Sequence, residues 1–140
     1  MIGTLQPNPY LVVKETADGR GRGVFAAREY AQGEAVEVSP VWLIDMRWED
    51  LPHSLKLVVY DWGVLAQTPS PTCAVALGVG SLFNHSTAHN LKFQALPEQK
   101  AIEFVALRDI DLGEELLVDY NSDMGDSGAS WFDLVGVVER

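Results

Sequence analysis

Three stretches of this chain hold residue types that do chemistry. Gly21-Arg22-Gly23-Val24-Phe25 sets two glycines around a single residue. Glycine permits unusual backbone angles and lets a ligand approach main-chain amides closely. An ordinary hairpin turn also accounts for such a loop. It does not read as a dinucleotide or phosphate loop, which needs a strand before it, a helix after it and, for the phosphate loop, a lysine. The second stretch, Gly80-Ser81-Leu82-Phe83-Asn84-His85-Ser86, runs on into Thr87-Ala88-His89-Asn90 and turns polar directly after an apolar segment. Asn84 and Ser86 there suit either ligand contact or a turn in which they bond their own backbone. His85 and His89 stand four apart, but no helical pattern or third ligand accompanies them, so a metal pair is the weaker reading. The third stretch, Gly113-Glu114-Glu115-Leu116-Leu117-Val118-Asp119-Tyr120-Asn121, brings a tyrosine hydroxyl beside a carboxylate at a strand end. An amphipathic surface strand is the plain alternative.

The elements that must position these residues are short. Residues 10–14 read as a strand from their β-branched content, and residues 24–26 as another leaving the glycine loop. Residues 34–38 alternate polar and apolar like a half-buried strand, and 41–44 form a separate one. Leu51, Leu55, Val58, Val59 and Trp62 recur at helical spacing, which predicts one amphipathic helix with Pro52 in its first turn and Gly63 at its end. Residues 91–95 and 102–104 alternate around the turn-like Pro97-Glu98-Gln99-Lys100, which predicts a hairpin. Residues 115–120 are the final strand. Strands with one modest helix make a β-rich α+β domain. The organisation expected is a lead-in at 1–9, one domain at 10–122 and a tail at 123–140, which could act as a lid.

Composition narrows the function classes. The chain has 140 residues, 47% of them hydrophobic, enough for one domain with a real core. Ten basic against 20 acidic side chains give a net charge of −10, which disfavours a nucleic-acid surface and favours a basic partner. The single cysteine, Cys73, excludes an internal disulfide and a cysteine-built zinc site. No apolar run suits a membrane span, and the first residues lack the pattern of a secretory signal, so an intracellular, cytoplasmic protein is expected. The formal glycosylation sequon at Asn84-His85-Ser86 would then go unused.

Taken together, the three stretches resemble the motifs of the SET-domain family of protein lysine methyltransferases, in the family's order. Gly21-Arg22-Gly23-Val24-Phe25-Ala26 is similar to its first motif, Phe83-Asn84-His85-Ser86 with Asn90 to its central one, and Gly113-Glu114-Glu115-Leu116 with Asp119-Tyr120 to its last. The chain looks like the minimal single-domain members known from viruses and bacteria. The resemblance implies a SET-domain β-clip fold with a C-terminal pseudoknot, in which the central-motif segment and the last strand thread past each other. It implies S-adenosylmethionine as methyl donor, with no metal. Gly21 and the backbone around Arg22 and Gly23 would hold that cofactor, the Asn84 side chain its amino-acid end and the His85 backbone its adenine. Tyr120 would be catalytic and, with Tyr60 and Phe83, would line the lysine channel; core packing is the alternative for Tyr60 and Phe83.

The family's zinc-bound lid is missing, since Thr87 stands where a cysteine is common and no later cysteine exists. Trp131 and Phe132 are the candidates to cover the cofactor, with ordinary packing as the alternative; a homodimer could also supply a lid. Residues 109–139 carry nine acidic side chains and no lysine or arginine, a run suited to steering a lysine-containing basic protein or peptide. A histone tail is one such substrate, and would make the protein nuclear or chromatin-associated. Two other readings stay open: a non-catalytic SET-like module that binds basic peptides, and a small metal-dependent enzyme using His85 and His89.

Overall fold

The computed structural model describes residues 9–19, 21–56, 58–69 and 71–120. The described residues open with an antiparallel hairpin of β1 (Leu11–Glu15) and β2 (Arg22–Ala26), with Leu11 opposite Ala26 and Glu15 opposite Arg22. Its loop closes through a hydrogen bond from the Thr16 amide to the Gly21 carbonyl at 2.8 Å. Gly21 has φ +99°, where a side chain would be strained, so this glycine is required by the turn itself.

β3 (Ala35–Ile44) is one ten-residue strand, where the sequence suggested two. The reason lies at Pro40. The first half of β3 pairs antiparallel with β8 (Ala101–Ala106), ending at Pro40 opposite Ala101, and the second half, from Val41, pairs with β5 (Cys73–Ala76). Proline sits at the change of partner, where its missing N–H goes unneeded. Its carbonyl accepts from the Leu77 amide at 2.8 Å.

The predicted helix over residues 51–62 is not there. That segment instead contains the one-turn helix α1 (His53–Lys56), the strand β4 (Val59–Asp61) and the one-turn helix α2 (Trp62–Leu65). Val59, Tyr60 and Asp61 pair with Val75, Ala74 and Cys73 of β5. β-Branched and aromatic residues suit that pleated edge better than a helix interior. The apparent stripe does not share a face: Leu51, Val59 and Trp62 are buried, whereas Leu55 and Val58 are each 42% exposed. Tyr60 therefore projects from a strand, and Gly63 lies within α2 rather than ending a helix. The Asp61 carboxylate caps α2 by accepting from the Val64 amide.

The expected hairpin is present as β7 (Leu91–Leu96) and β8, joined by a 3₁₀ turn at Pro97–Gln99. Lys100 leaves that turn with φ +50°. Between β5 and β7 runs the two-residue strand β6 (Asn84–His85), and the last strand among the described residues is β9 (Glu115–Val118). Among the described residues the sheet order is β1-β2-β9-β7-β8-β3-β5-β4, with β6 also on β9. β9 thus inserts between the first hairpin and the middle of the chain. It runs antiparallel to β2 and parallel to both β6 and β7. This is the interleaving expected of the β-clip pseudoknot.

Two apolar clusters carry the fold. The larger gathers Tyr60, Phe83, Leu91, Phe93, Ile102, Phe104, Leu116 and Val118 among others. Phe83 and Phe104 lie 4.7 Å apart between ring centroids, and Tyr60 meets Phe93 edge-on at 5.3 Å. The smaller holds Trp48, Leu51, Val59 and Cys73 on the opposite face of β4 and β5. The Trp48 indole N–H donates to the Val59 carbonyl at 3.1 Å. Burial pushes the Cys73 thiol up to about 11. Tyr120 packs against both clusters.

Candidate active site

The site is built around β9. Asn90, 1% exposed, pins that strand with a side chain that imitates a neighbouring backbone. Its Nδ2 donates to the Glu115 carbonyl at 2.9 Å, its Oδ1 accepts from the Leu117 amide at 2.8 Å, and its own amide donates to the Leu117 carbonyl. β6 continues the same alignment, with Asn84 opposite Leu117, His85 opposite Val118, and the Ser86 amide donating to the Val118 carbonyl. The register of β9 therefore decides what meets at its two ends.

At the Glu115 end three segments converge. The Asn84 amide nitrogen donates to the Arg22 carbonyl at 3.0 Å and to the Glu115 carboxylate at 2.8 Å. Gly23 closes the group. A Cβ there would strike the Glu115 carboxylate and come within 3.0 Å of the Asn84 nitrogen. The second glycine of the loop is thus fixed by close approach, not by backbone angle. The polar heads of Asn84 and Glu115 reach the main chain through the notch it leaves.

At the Tyr120 end the surroundings are apolar. The Tyr120 hydroxyl donates to the Phe83 carbonyl at 2.8 Å, and its ring stacks on the His85 imidazole with centroids 5.3 Å apart. The Tyr120 amide donates to Nδ1 of His85 at 3.2 Å. An accepting Nδ1 places the imidazole proton on Nε2 and makes the ring neutral. The Asp119 carboxylate lies 3.8 Å from that Nδ1. Tyr60 approaches from β4 and donates its hydroxyl to the Gly80 carbonyl at 2.7 Å. Burial, and secondarily the nearby Tyr120, push the Tyr60 phenol well above its usual range, so it stays a hydrogen-bond donor.

The structure brings Arg22, Gly23, Asn84, His85, Phe83, Tyr60 and Tyr120 to the two ends of one strand. Gly21 shapes the loop from its far side. The rings of Phe83 and Tyr60, expected either as channel walls or as core, are both buried in the larger cluster, each packed edge-on or tilted against Phe93 or Phe104. What Phe83 presents to Tyr120 is its main-chain carbonyl. His85 is buried under Tyr120, His89 has its ring nitrogen 3.1 Å from the Thr87 carbonyl, and no group of three or more metal-binding side chains forms among the described residues. Trp131 and Phe132 lie outside the described residues. So does the 123–140 tail.

Two residues escaped the sequence reading as parts of the site. Asn90 was only the close of a motif, yet its carboxamide satisfies a donor and an acceptor of the passing strand together. Glu115 was one carboxylate in an acidic run. Only the absent Cβ at Gly23 reveals where it points, and strand alternation alone cannot supply that.

Fold and site together define a β-clip protein whose three motif segments meet along its last strand. The chain belongs to the SET-domain family, whose sequence profile matches residues 21–121. It is 30% identical over 127 residues to a Schizosaccharomyces pombe histone-lysine N-methyltransferase specific for H3 lysine 37, covering 88% of this chain and 77% of that protein. Among solved structures, a candidate histone methyltransferase of Plasmodium falciparum superposes with a TM-score of 0.64 at 23% identity, covering 86% of this chain and 99% of that one. The ctPRC2 complex in an autoinhibited conformation bound to S-adenosylmethionine superposes at 0.59 and 22% identity, over 81% of this chain and 15% of that one. Family and relative together support lysine methyltransferase activity in the broad sense.

Proposed function

We propose that this protein is an S-adenosylmethionine-dependent protein-lysine N-methyltransferase acting on a basic protein such as a histone tail. The observation that carries the reading is that Gly23 and Asn84 meet the Glu115 carboxylate at one end of β9, while Tyr120, just past its other end, bonds the carbonyl of Phe83 next to Asn84. The notch at Gly23 fits the proposed cofactor, because it brings a carboxylate, an amide and a main-chain carbonyl together where a zwitterionic amino-acid end would be held. Arg22, Gly23 and Asn84 would hold that end, and the backbone of His85, whose β6 pairs with β9 along one edge, would meet the adenine. When bound, S-adenosylmethionine supplies a methyl group on a positively charged sulfur.

The chain's own residues do the rest. The two apolar clusters around Tyr120 exclude water from an entering side chain. A lysine with a solution pKa near 10.4 is almost wholly charged at neutral pH. Desolvation lowers that value, and loss of the proton to water during entry yields the neutral amine that can act as a nucleophile. The Tyr120 hydroxyl, held at the Phe83 carbonyl, orients that amine together with the carbonyl itself. Rate then comes from alignment and desolvation. The excess of acidic side chains, 20 against 10, draws a basic substrate toward the molecule. A histone substrate would make the protein nuclear, and another basic substrate would make it cytoplasmic.

The test is mass spectrometry of core histones and other basic proteins incubated with the chain and isotopically labelled S-adenosylmethionine. Labelled methyl groups on lysine support the reading and count the methyls added. Binding of a basic peptide with no heat of cofactor binding and no label would favour a non-catalytic module instead.

A further inference from the structure

The sheet ends differently on its two sides. β4, at one edge, is three residues long and runs directly into α2, which leaves little edge to pair. β1, at the other, is five residues long, and its register against β2 holds without a shift. Among the described residues no strand lies on its outer side. The direction of its main-chain groups follows from its two ends. The Ala27 amide donates to the Tyr10 carbonyl, and the Thr16 amide to the Gly21 carbonyl. Antiparallel ladders alternate, so Val12 and Lys14 turn their amides and carbonyls toward β2, and Leu11, Val13 and Glu15 turn theirs outward. β2 has the complementary phase, since the Ala26 amide donates away from β1, to the Glu114 carbonyl.

The side chains describe the same open edge. Val13 shares a face with Val24, which is fully buried, yet is itself 36% exposed. Val12, on the other face, is 41% exposed. Lys14, the residue that could blunt the edge, lies over the Phe25 ring, 4.6 Å from its centroid. Charge and register select the occupant. The hairpin at residues 11–26 holds Lys14, Arg20 and Arg22 against Glu15 and Asp18, so it does not share the acidity of the whole chain. A basic peptide has no electrostatic reason to add there, and two hairpins can meet without the repulsion expected of chains with net charge −10. In a pair of antiparallel β1 strands, outward residues must meet outward residues. With Val13 opposite the partner's Val13, Leu11 meets the partner's Glu15 and Val12 the partner's Lys14, and no like charges stand opposite. A shift of two residues one way sets Lys14 against the partner's Lys14. A shift the other way sets Glu15 against the partner's Pro9, which has no N–H.

We propose that β1 pairs antiparallel with β1 of a second copy of this chain, Val13 opposite the partner's Val13, so that one sheet runs through a twofold dimer. The hairpin that carries Gly21-Arg22-Gly23 then gains a strand on its open side. The contact is small, so the dimer is reversible.

The experiment is sedimentation equilibrium of the intact chain, with amide hydrogen exchange followed by NMR. The proposal expects twice the chain mass at about 100 μM and the chain mass at about 1 μM. Exchange at the Leu11, Val13 and Glu15 amides slows as concentration rises. Val13→Pro deletes one outward N–H and no bond to β2, and leaves the chain monomeric. Val13→Lys and Val13→Glu are each monomeric alone and form a dimer when mixed, because the two positions face each other. A native chain that stays monomeric at about 100 μM overturns the proposal. So does a dimer that survives Val13→Pro and both charge variants, because its interface lies elsewhere. Slow exchange at these three amides in the monomer gives the edge to another segment of the same chain and also overturns it. If Val13→Pro does not fold, the charge variants decide: a mixture no heavier than either variant alone overturns the register.

Discussion

The two ends of β9 solve opposite problems with the same strand. At Glu115 three polar groups crowd a notch made by a missing Cβ, and charge is offered to whatever enters. At Tyr120 a single hydroxyl is tethered to a carbonyl between two apolar clusters, and the surroundings withhold water. The contrast teaches that a strand four residues long suffices to separate a polar, charged environment from a largely apolar one, the two kinds of surroundings that the proposed ligand grip and the proposed reaction would need. Asn90, midway, fixes the register on which both depend.

Substitutions can break or sharpen that contrast. Tyr120→Phe removes the tethered hydroxyl and is expected to lower kcat about 100-fold, the scale of losing one positioned donor. Its calorimetric affinity for S-adenosylmethionine should stay within about threefold of the native value, because binding belongs to the other end. Equal losses in both measurements would erase the distinction. Asn90→Ala strikes both ends together: it strands a part-buried carbonyl and a part-buried amide of β9, and stability in urea should fall by about 1–2 kcal/mol. Gly23→Ala should weaken cofactor binding about tenfold while leaving the chain folded, because the new methyl displaces the flexible heads of Glu115 and Asn84 and not backbone. Tyr60→Phe is the mildest, about 1 kcal/mol of stability from the lost bond to the Gly80 carbonyl, with cofactor affinity unaltered.

Much of the polar end was legible in the sequence. A glycine pair and an Asn-His dipeptide are local patterns, and their types state their chemistry. The hairpin of β7 and β8 was equally plain, because strict alternation and a proline turn leave one solution. The apolar end was harder. Residues 51–62 showed helical spacing, yet β4 forms there because β5 offers an edge, and no local signal announces a partner that arrives a dozen residues later. Residues 34–38 and 41–44 read as two strands and proved to be one that changes partners at Pro40. The rings of Tyr60 and Phe83 could not be assigned to wall or core from sequence, since only packing against Phe93 and Phe104 decides it. Glu115 was invisible for a related reason: its direction is set by an atom that Gly23 does not have.

The order in which these parts are synthesised has a consequence. The Asn84 side chain reaches 62 residues back to Arg22 and 31 residues forward to Glu115. A nascent polypeptide emerging from the ribosome therefore carries both the loop and the Asn-His segment long before the strand that unites them exists. Folding must wait for that late arrival and then close distant contacts, a route that topology makes slow. Until then the half-made molecule exposes apolar strands, and protection from aggregation matters most in the moments before translation passes residue 118.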